Sequence, residues 1–460
     1  MPSDEGGFLA PPFCSMPGDR VAPPGAVPCD MGLVWGLPRW YGTCMAGRDE
    51  KLYIVMVGLP SQGKSTVALR LQDIFRKNDI PTMIYNNGEL RRRLAPQDTW
   101  MSDFYSPRNE AAVELRKRFA LMNMRRARTY LRNKGQVAIL DATNVSRARR
   151  ALIEDQLGDH PILYIECVNN DAEIVDLSIR HKVRASEFAS LSEERAVAEF
   201  KKRIDYYREI YNPLHVERNY IVMDSLHNRV MDEQIEDQIP LYSRIRDCLV
   251  TDVVKSLFLI RHTESDYNLE DRIGGDPDLT PRGRAQAAAL GRFFRKKRIA
   301  YIFTSEKKRT IQTAEYIKAL QDDCTIIPLR EFNEIDAGIC EGMTYDEIQR
   351  LKPDIYAARK ADKYNYTYPR GEGYATMKER IKIGIKKAFF LNQRPDNIMI
   401  VGHRAVNRMI LSHFLYRREE DVPYIYVPQD KFYHIVATQD RKVFELKRYD
   451  DVRTPSRETR

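Results

Sequence analysis

Between residues 50 and 224 the chain alternates short apolar runs with longer amphipathic stretches, a rhythm that predicts strands over 52–57 (LYIVMV), 82–86, 136–140 (QVAIL), 162–168 (ILYIECV) and 219–223. The stretches between them predict helices over 64–77, 109–133, 147–156, 172–182 and 193–211. The apolar runs are short and nearly continuous, as strands covered on both faces should be, so the pattern is that of a parallel sheet with crossover helices. A second such series begins near 256, with SLFLIRH, a helix over 281–297, YIFTSE, a helix over 307–320, TIIPL, a helix over 376–392 and NIMIVGH. The expected organisation is therefore α/β throughout, with one domain over 49–223 and another over 256–450. The polar, charged stretch 224–255 is helix-compatible and reads as the connection between them.

Residues 1–48 hold eight of the 24 prolines and follow neither period, which predicts a disordered or loosely docked tail. Its cluster of Trp35, Trp40 and Tyr41 suggests that part of 31–45 packs against the body. Residues 451–460 read as a frayed tail whose Thr454 and Ser456 are candidate phosphorylation sites.

Composition narrows the class. With 460 residues, 43% hydrophobic and 30% charged, the chain is neither a small stapled module nor wholly disordered. The 74 basic residues exceed the 65 acidic ones, giving a formal net charge of +9 and favouring anionic partners. Seven cysteines with no C-x-x-C pair suit reduced thiols rather than a disulfide framework or a zinc site. No apolar run reaches the roughly 18 residues that span a bilayer, and no secretory or transit leader is legible, so a soluble cytoplasmic protein with no membrane partner is expected.

The first chemical signal is Gly58-Leu-Pro-Ser-Gln-Gly63-Lys64-Ser65, which fits G-x-x-x-x-G-K-[ST] and falls between a predicted strand and a predicted helix. Glycines let backbone N–H groups curl around phosphate, Lys64 suits the β- and γ-phosphates of ATP, and the Ser65 hydroxyl, with Thr66 behind it, suits Mg²⁺. The strand over 136–140 ends in Asp141, a carboxylate that suits either a metal-linked role or that of general base, and that would also cap the helix starting near 147. Arginines and lysines gather after the strand ends, a pattern that fits an acceptor carrying its own phosphate. A small-molecule kinase follows from this half.

The second signal is an ordered set: Arg261-His262-Thr263-Glu264, Asn268, Leu279-Thr280-x-x-Gly283-x-x-Gln286-Ala287, Arg309 within KKRTIQTAE, Glu334 within NEIDAG, and Gly402-His403 closing a strand. It resembles the histidine phosphatase (phosphoglycerate mutase-like) superfamily. The chemistry needs these types: an imidazole at His262 to attack phosphorus, Arg261, Arg309, His403 and Asn268 around the equatorial oxygens, and Glu334 as acid for the leaving oxygen.

A P-loop NTPase-type kinase domain followed by a phosphoglycerate mutase-like domain resembles the bifunctional 6-phosphofructo-2-kinase/fructose-2,6-bisphosphatase family. The resemblance runs through GLPSQGKS, YNNGELRR, ILDATNVSRARR, FKKRIDYYREIYNPL, RIGGDPDLTPRG, TIQTAEYI, NEIDAGICEGMTYDEI and DKYNYTYPRGEGY. It implies synthesis of fructose 2,6-bisphosphate from fructose 6-phosphate and MgATP, and its hydrolysis through a phosphohistidine. It further implies that Arg91, Arg116, Thr143, Arg149, Lys182, Arg203 and Tyr207 serve fructose 6-phosphate and the transfer, with Lys182 on the moving phosphoryl group. In the other half it implies that Tyr345, Arg359, Lys363, Tyr374 and Arg408 hold the sugar and its 6-phosphate, with Gly274 near the 2-phosphate; Arg404 adds a positive charge beside that pocket and is a further candidate for binding the substrate. A homodimer is implied in the same way.

Four departures from the family pattern stand out: Thr263 stands where Gly is usual, Arg404 where Gln is usual, Asn169 in place of a cysteine, and Ser61-Gln62 where Ala-Arg is common. The first two raise the alternative of a predominantly kinase enzyme with an impaired phosphatase. A reading from another class is a nucleic-acid end-processing kinase–phosphatase, whose mark would be salt-sensitive binding to DNA or RNA. Tyr345, Arg359, Lys363 and Tyr374 favour a sugar phosphate over nucleic acid.

Overall fold

Six uninterrupted apolar residues form β1 (Leu52–Val57), and all six are buried, because helices cover both faces of the sheet it centres. The computed structural model describes residues 50–449 apart from 96–98, 185, 189, 393–396, 416–417 and 439–440. The expectations for the two tails, including the aromatic cluster and Thr454 and Ser456, lie outside the described residues.

In the first half β1 leads through α1 (Lys64–Lys77), β2 (Thr82–Asn86), α2 (Asn87–Leu94) and α3 (Glu110–Arg132) to β3 (Val137–Asp141). There follow α4 (Arg147–Leu157), β4 (Ile162–Val168), α5 (Ala172–Val183), α6 (Glu193–Glu209), β5 (Asn219–Asp224), β6 (Arg229–Ile235) and α7 (Tyr242–Val250). The sheet order is β2-β3-β1-β4-β5-β6, with β6 alone antiparallel. Because Met56 lies opposite Asp141 in the β1–β3 register, the carboxylate arrives beside the loop that follows β1.

Residues 224–255 are not the helical connection expected. β6 returns from β5 as an edge strand of the first sheet, and only then does α7 pack against the core around α1. The β6 sequence RVMDEQI buries little, so it carries no apolar periodicity, and its pairing is set by the short β5–β6 turn.

The second half runs through β7 (Val254–Arg261), α8 (Asp266–Leu269), α9 (Pro281–Phe294), β8 (Ile299–Thr304), α10 (Lys308–Lys318), β9 (Thr325–Pro328), α11 (Tyr345–Leu351) and α12 (Pro353–Ala361). It continues with α13 (Tyr374–Leu391), β10 (Asn397–Gly402), α14 (Arg404–Leu415), β11 (Lys431–Ala437) and β12 (Lys442–Arg448). Its sheet order is β12-β11-β7-β10-β8-β9, parallel from β7 to β9. Gly402 lies opposite Arg261, so the residues that follow, His403 and His262, emerge side by side.

The halves share apolar packing. Ile174 of α5 and Leu226 belong to the same buried cluster as Phe390, Leu391 and Ile385 of α13. Lys387 of α13 is buried and bridges Glu331 (2.9 Å) to Glu173 (3.0 Å) of the first half. Lys386 binds both oxygens of Asp252, and Arg184 reaches Thr325 Oγ1 at 3.0 Å.

Candidate active sites

The loop after β1 turns through Gly58 at φ 133°, where an added Cβ would stand 2.5 Å from the Cys167 carbonyl oxygen; only glycine fits this approach to β4. Gly63, at φ 79°, heads α1. Gly58 N–H donates to the Thr143 carbonyl at 3.0 Å, tying the loop to the segment after β3. Lys64 Nζ donates to the Leu59 carbonyl at 2.6 Å, so the ammonium lies folded over its own loop. Gln62 Nε2 reaches the Asn169 carbonyl at 3.4 Å.

Asp141 is buried, and its Oδ2 accepts from both Ser65 Oγ (2.7 Å) and Asn86 Nδ2 (2.6 Å). Oδ1 takes neither bond. The donor set of one hydroxyl and one carboxylate fits Mg²⁺, which takes one or two protein oxygens and fills its other positions with phosphate and water. Asp141 does not cap the helix that follows; Ser146 does, accepting from Arg149 N–H, because Asp141 is still within β3 and five residues short of the helix cap. Thr66 lies half-buried on α1.

Burial lowers both site lysines, Lys64 to about 8 with a further push from Arg203, and Lys182 to about 7 with further pushes from Lys64 and Arg203, each against the pull of Asp141. Lys182 comes from the last turn of α5. Next to it the Arg203 guanidinium covers the Tyr105 ring at 3.9 Å, and Arg91 approaches the same ring at 5.8 Å. Arg116 donates to the Phe104 carbonyl, and burial lowers both Arg116 and Arg149, which share Tyr207 as a neighbour. Arg91 is largely committed elsewhere, with Nη1 on the Thr99 carbonyl and Nη2 on Glu187. Among the described residues, Tyr105 Oη, Arg91 Nε and Arg203 Nε are buried without a hydrogen-bond partner. Three orphaned donors around one ring mark a place for a polar ligand.

In the second half His262 Nδ1 lies 2.7 Å from the Thr263 carbonyl, which accepts its proton and leaves Nε2 with the lone pair. Burial, then Arg309 and Arg261, holds His262 well below the usual imidazole range, so it is neutral at pH 7. The His403 ring stands 5.3 Å away, centre to centre, and is held down for the same reasons. Arg261 is buried and lowered to about 9, by burial first and then by Arg404. Arg309 is buried and donates to the Gly275 carbonyl at 2.9 Å. Asn268 Oδ1 accepts from Ser265 and from Gln429 Nε2, so the acceptor end of the amide is occupied and its Nδ2 donors remain. Glu334 Oε2 accepts the Arg404 N–H (3.0 Å) and Oε1 its neighbour Ile335 N–H (3.0 Å), which seats it at the start of α14.

Thr263 is fully buried and lies 3.2 Å from Thr313 Oγ1 through both its N–H and its hydroxyl. Gly274, at φ 70°, lies against the Glu341 carboxylate, which accepts from Gly275 and Ala337 N–H. Beyond the histidines, Arg408 Nη1 donates to Tyr374 Oη (3.0 Å) and Arg359 Nη2 to Tyr345 Oη (2.9 Å). Lys363 is half-buried and lowered to about 8, by burial and then by Arg359, Arg408 and Arg404. The Arg404 side chain is exposed at this rim.

Sequence reading did not single out Asn86, Tyr105, Ser305, Thr313 or Gln429. Asn86 ends β2 directly opposite Asp141 in the β2–β3 register, a signal available in principle; the others reach the sites only through tertiary contacts.

A phosphate loop backed by a buried aspartate, joined in one chain to a pocket of two neutral histidines among arginines, makes this a protein of phosphoryl transfer, a P-loop kinase fused to a histidine phosphatase. Family models bear this out: 6-phosphofructo-2-kinase matches residues 41–251, and the histidine phosphatase superfamily (branch 1) matches 257–451. The chain is 34% identical over 385 residues to 6-phosphofructo-2-kinase/fructose-2,6-bisphosphatase 1 of Rattus norvegicus, covering 82% of this chain and 79% of that one. It is 35% identical to the 6-phosphofructo-2-kinase/fructose-2,6-bisphosphatase of Aquarana catesbeiana, covering 82% and 80%. Among solved structures, the alpha-ribazole phosphatase from Shigella flexneri aligns with 42% of this chain and 95% of its own at 24% identity and a TM-score of 0.38. The chain belongs to the bifunctional 6-phosphofructo-2-kinase/fructose-2,6-bisphosphatase family and carries both its kinase and its phosphatase domain.

Proposed function

We propose that the first half transfers the γ-phosphoryl of ATP to O2 of fructose 6-phosphate and that the second half removes it again, so that one chain sets the level of fructose 2,6-bisphosphate, and with it the balance of glycolysis and gluconeogenesis. The observation that carries the reading is the completeness of both constellations in one chain, Lys64–Ser65–Asp141 beside Lys182 and His262–His403 beside Arg261 and Arg309.

In the kinase half Gly58, Gly63, Lys64, Ser65 and Thr66 hold the nucleotide, with Lys182 charged once phosphate faces it. Ser65 and Asp141 would hold Mg²⁺, which would supply positive charge against the charge developing on the transferring phosphoryl group. Arg116, Thr143, Arg149, Arg203 and Tyr207, with whatever donor Arg91 spares, orient the sugar phosphate. The alternative role for Asp141, whose Oδ1 takes neither the Ser65 nor the Asn86 bond, is that of general base for the proton of the attacking 2-hydroxyl.

In the phosphatase half His262 Nε2 bonds to phosphorus as the P–O2 bond breaks, and the proton for the departing O2 comes from Glu334. Water then attacks the phosphohistidine, giving its proton to Glu334 and releasing phosphate. Arg261, Asn268, Arg309 and His403 stabilise the equatorial oxygens. Gly274, Tyr345, Arg359, Lys363, Tyr374, Arg404 and Arg408 hold the rest of the sugar bisphosphate. A homodimer and a cytoplasmic setting rest on the family resemblance; among the described residues no helix is long and apolar enough to cross a membrane. The family assignment leaves the nucleic-acid reading without support.

The test is formation of fructose 2,6-bisphosphate from fructose 6-phosphate and MgATP, beside phosphate release from the bisphosphate, each repeated with Lys64→Met and His262→Ala. Each substitution should abolish its own reaction and spare the other. If the wild-type protein performs neither reaction, the assignment fails.

A further inference from the structure

Ser305 lies in the turn between β8 and α10, the same turn that delivers Arg309 to the phosphate pocket. Its side chain and that of His403 are both fully buried, and Ser305 Oγ stands 2.8 Å from His403 Nε2 across 98 positions of sequence. The hydroxyl is itself fixed from two sides. It accepts the Lys307 N–H at 3.1 Å and touches Thr310 Oγ1 at 2.8 Å. With Thr310 donating across that 2.8 Å contact, Ser305 Oγ accepts from two sides and its own proton goes to the imidazole; the Lys307 and Ser305 carbonyls, 2.8 and 3.2 Å from Thr310 Oγ1, are the other acceptors within reach of the Thr310 proton.

The other ring nitrogen completes the picture. Among the described residues His403 Nδ1 is a buried polar atom with no partner, on a ring that faces His262. A phosphoryl group on His262 would bring an anionic oxygen to that space. An N–H there would be a donor, whereas a bare lone pair would repel it.

We propose that Ser305 is a positioning residue of the phosphatase site: its hydroxyl donates to His403 Nε2 and thereby fixes the ring as the Nδ1–H tautomer, with that N–H offered to an equatorial oxygen of the transferring phosphoryl group. The proposal rests on reading this pocket as the phosphatase site. It also accounts for how His403 donates without being charged: burial and the charges of Arg309 and Arg261 disfavour the imidazolium, so a neutral ring can donate at Nδ1 only if something else satisfies Nε2.

Two measurements test it. In the full-length chain, Ser305→Ala should lower phosphatase kcat by about 10- to 100-fold, less than the roughly 100- to 1,000-fold that follows removal of a transition-state donor itself, with a smaller change in KM. Kinase activity of the same chain reports folding and should be unchanged, and Ser305→Thr, which keeps a hydroxyl, should recover most of the rate. Independently, ¹⁵N NMR of histidine-labelled wild-type protein, with the resonance assigned by its loss in His403→Gln, should show His403 protonated at Nδ1 and not at Nε2. A wild-type kcat in Ser305→Ala, or an Nε2–H tautomer in the wild-type spectrum, overturns the proposal. If Ser305→Ala loses kinase activity as well, the NMR result decides alone. If the wild-type protein hydrolyses no fructose 2,6-bisphosphate, the functional reading fails, while the tautomer is still read from the spectrum.

Discussion

Nucleotide binding to this chain should take up protons, because the two lysines that the proposed function sets against the phosphates are partly neutral before the nucleotide arrives. In the free protein Lys182 titrates at about 7 and Lys64 at about 8. Both groups are then charged together in about 0.9 of molecules at pH 6, about 0.45 at pH 7 and about 0.05 at pH 8. Bound phosphate holds both ammonium groups charged, so the apparent dissociation constant rises about twofold from pH 6 to 7 and about tenfold from pH 7 to 8. The accompanying uptake is about 0.6 proton at pH 7 and about 1.4 at pH 8. The sign is set by the direction of the shifts: both lysines lie below their unfolded value, so affinity is nearly complete by pH 6 and is lost as pH rises through 7 and 8. Stability of the free fold runs the other way. The unfolded chain binds more protons over this window, so the fold gains stability as pH rises from about 7 toward the unfolded lysine value of about 10.4. Titration calorimetry with Mg²⁺ and a non-hydrolysable ATP analogue, in two buffers of different ionisation enthalpy, measures the uptake directly. In Lys182→Met the uptake at pH 7 should fall to about 0.1 proton, the share of Lys64 alone. A dissociation constant that stays flat from pH 6 to 8.5, with the same heat in both buffers, would refute the reasoning.

Two further outcomes follow from single contacts. Asn86→Ala removes one of the two donors on Asp141 Oδ2, and should lower kinase kcat by about tenfold through a misplaced carboxylate while phosphatase turnover stays at the wild-type value; an unchanged kinase rate would show that Ser65 alone seats Asp141. Lys387→Met leaves the buried Glu331 with only the exposed Arg330 beside it, at 3.7 Å, and should cost about 3 kcal/mol of stability, seen as a lower denaturation midpoint. Adding Glu331→Gln to it should recover much of the loss, and a double variant no more stable than Lys387→Met would remove Glu331 from the account.

The parallel strands of both sheets, the edges β2 and β9 included, were legible in the sequence because strands such as LYIVMV and ILYIECV are buried on both faces and announce themselves without reference to any partner. The antiparallel strands β6, β11 and β12 were not. β6 and β12 are mostly exposed and charged, RVMDEQI and KVFELKR, so what makes them strands is the neighbour they pair with and not their own pattern. The same division holds in the sites. Lys64, His262 and Arg309 stand in motifs whose spacing is local, and the structure brings each to its pocket. Ser305 meets His403, and Gln429 meets Asn268, across 98 and 161 positions, and a serine or glutamine in a loop gives no local sign of such a meeting. Arg91 shows the converse: its place in YNNGELRR suggested a substrate contact, while its guanidinium is held by Thr99 and Glu187.

The shared packing between the halves has a metabolic reading. Ile174 and Leu226 lie in the same apolar cluster as Ile385 and Phe390, and a buried lysine on α13 is clamped from both sides. Neither catalyst can melt without stripping cover from the other, so damage, heat or proteolysis removes synthesis and breakdown of the same metabolite in equal measure. The steady level of a compound made and destroyed by one chain depends on the ratio of the two rates and not on the number of molecules. A population of this enzyme thinned by turnover therefore answers more slowly but holds the same set point, and only chemistry at one of the two sites can move it.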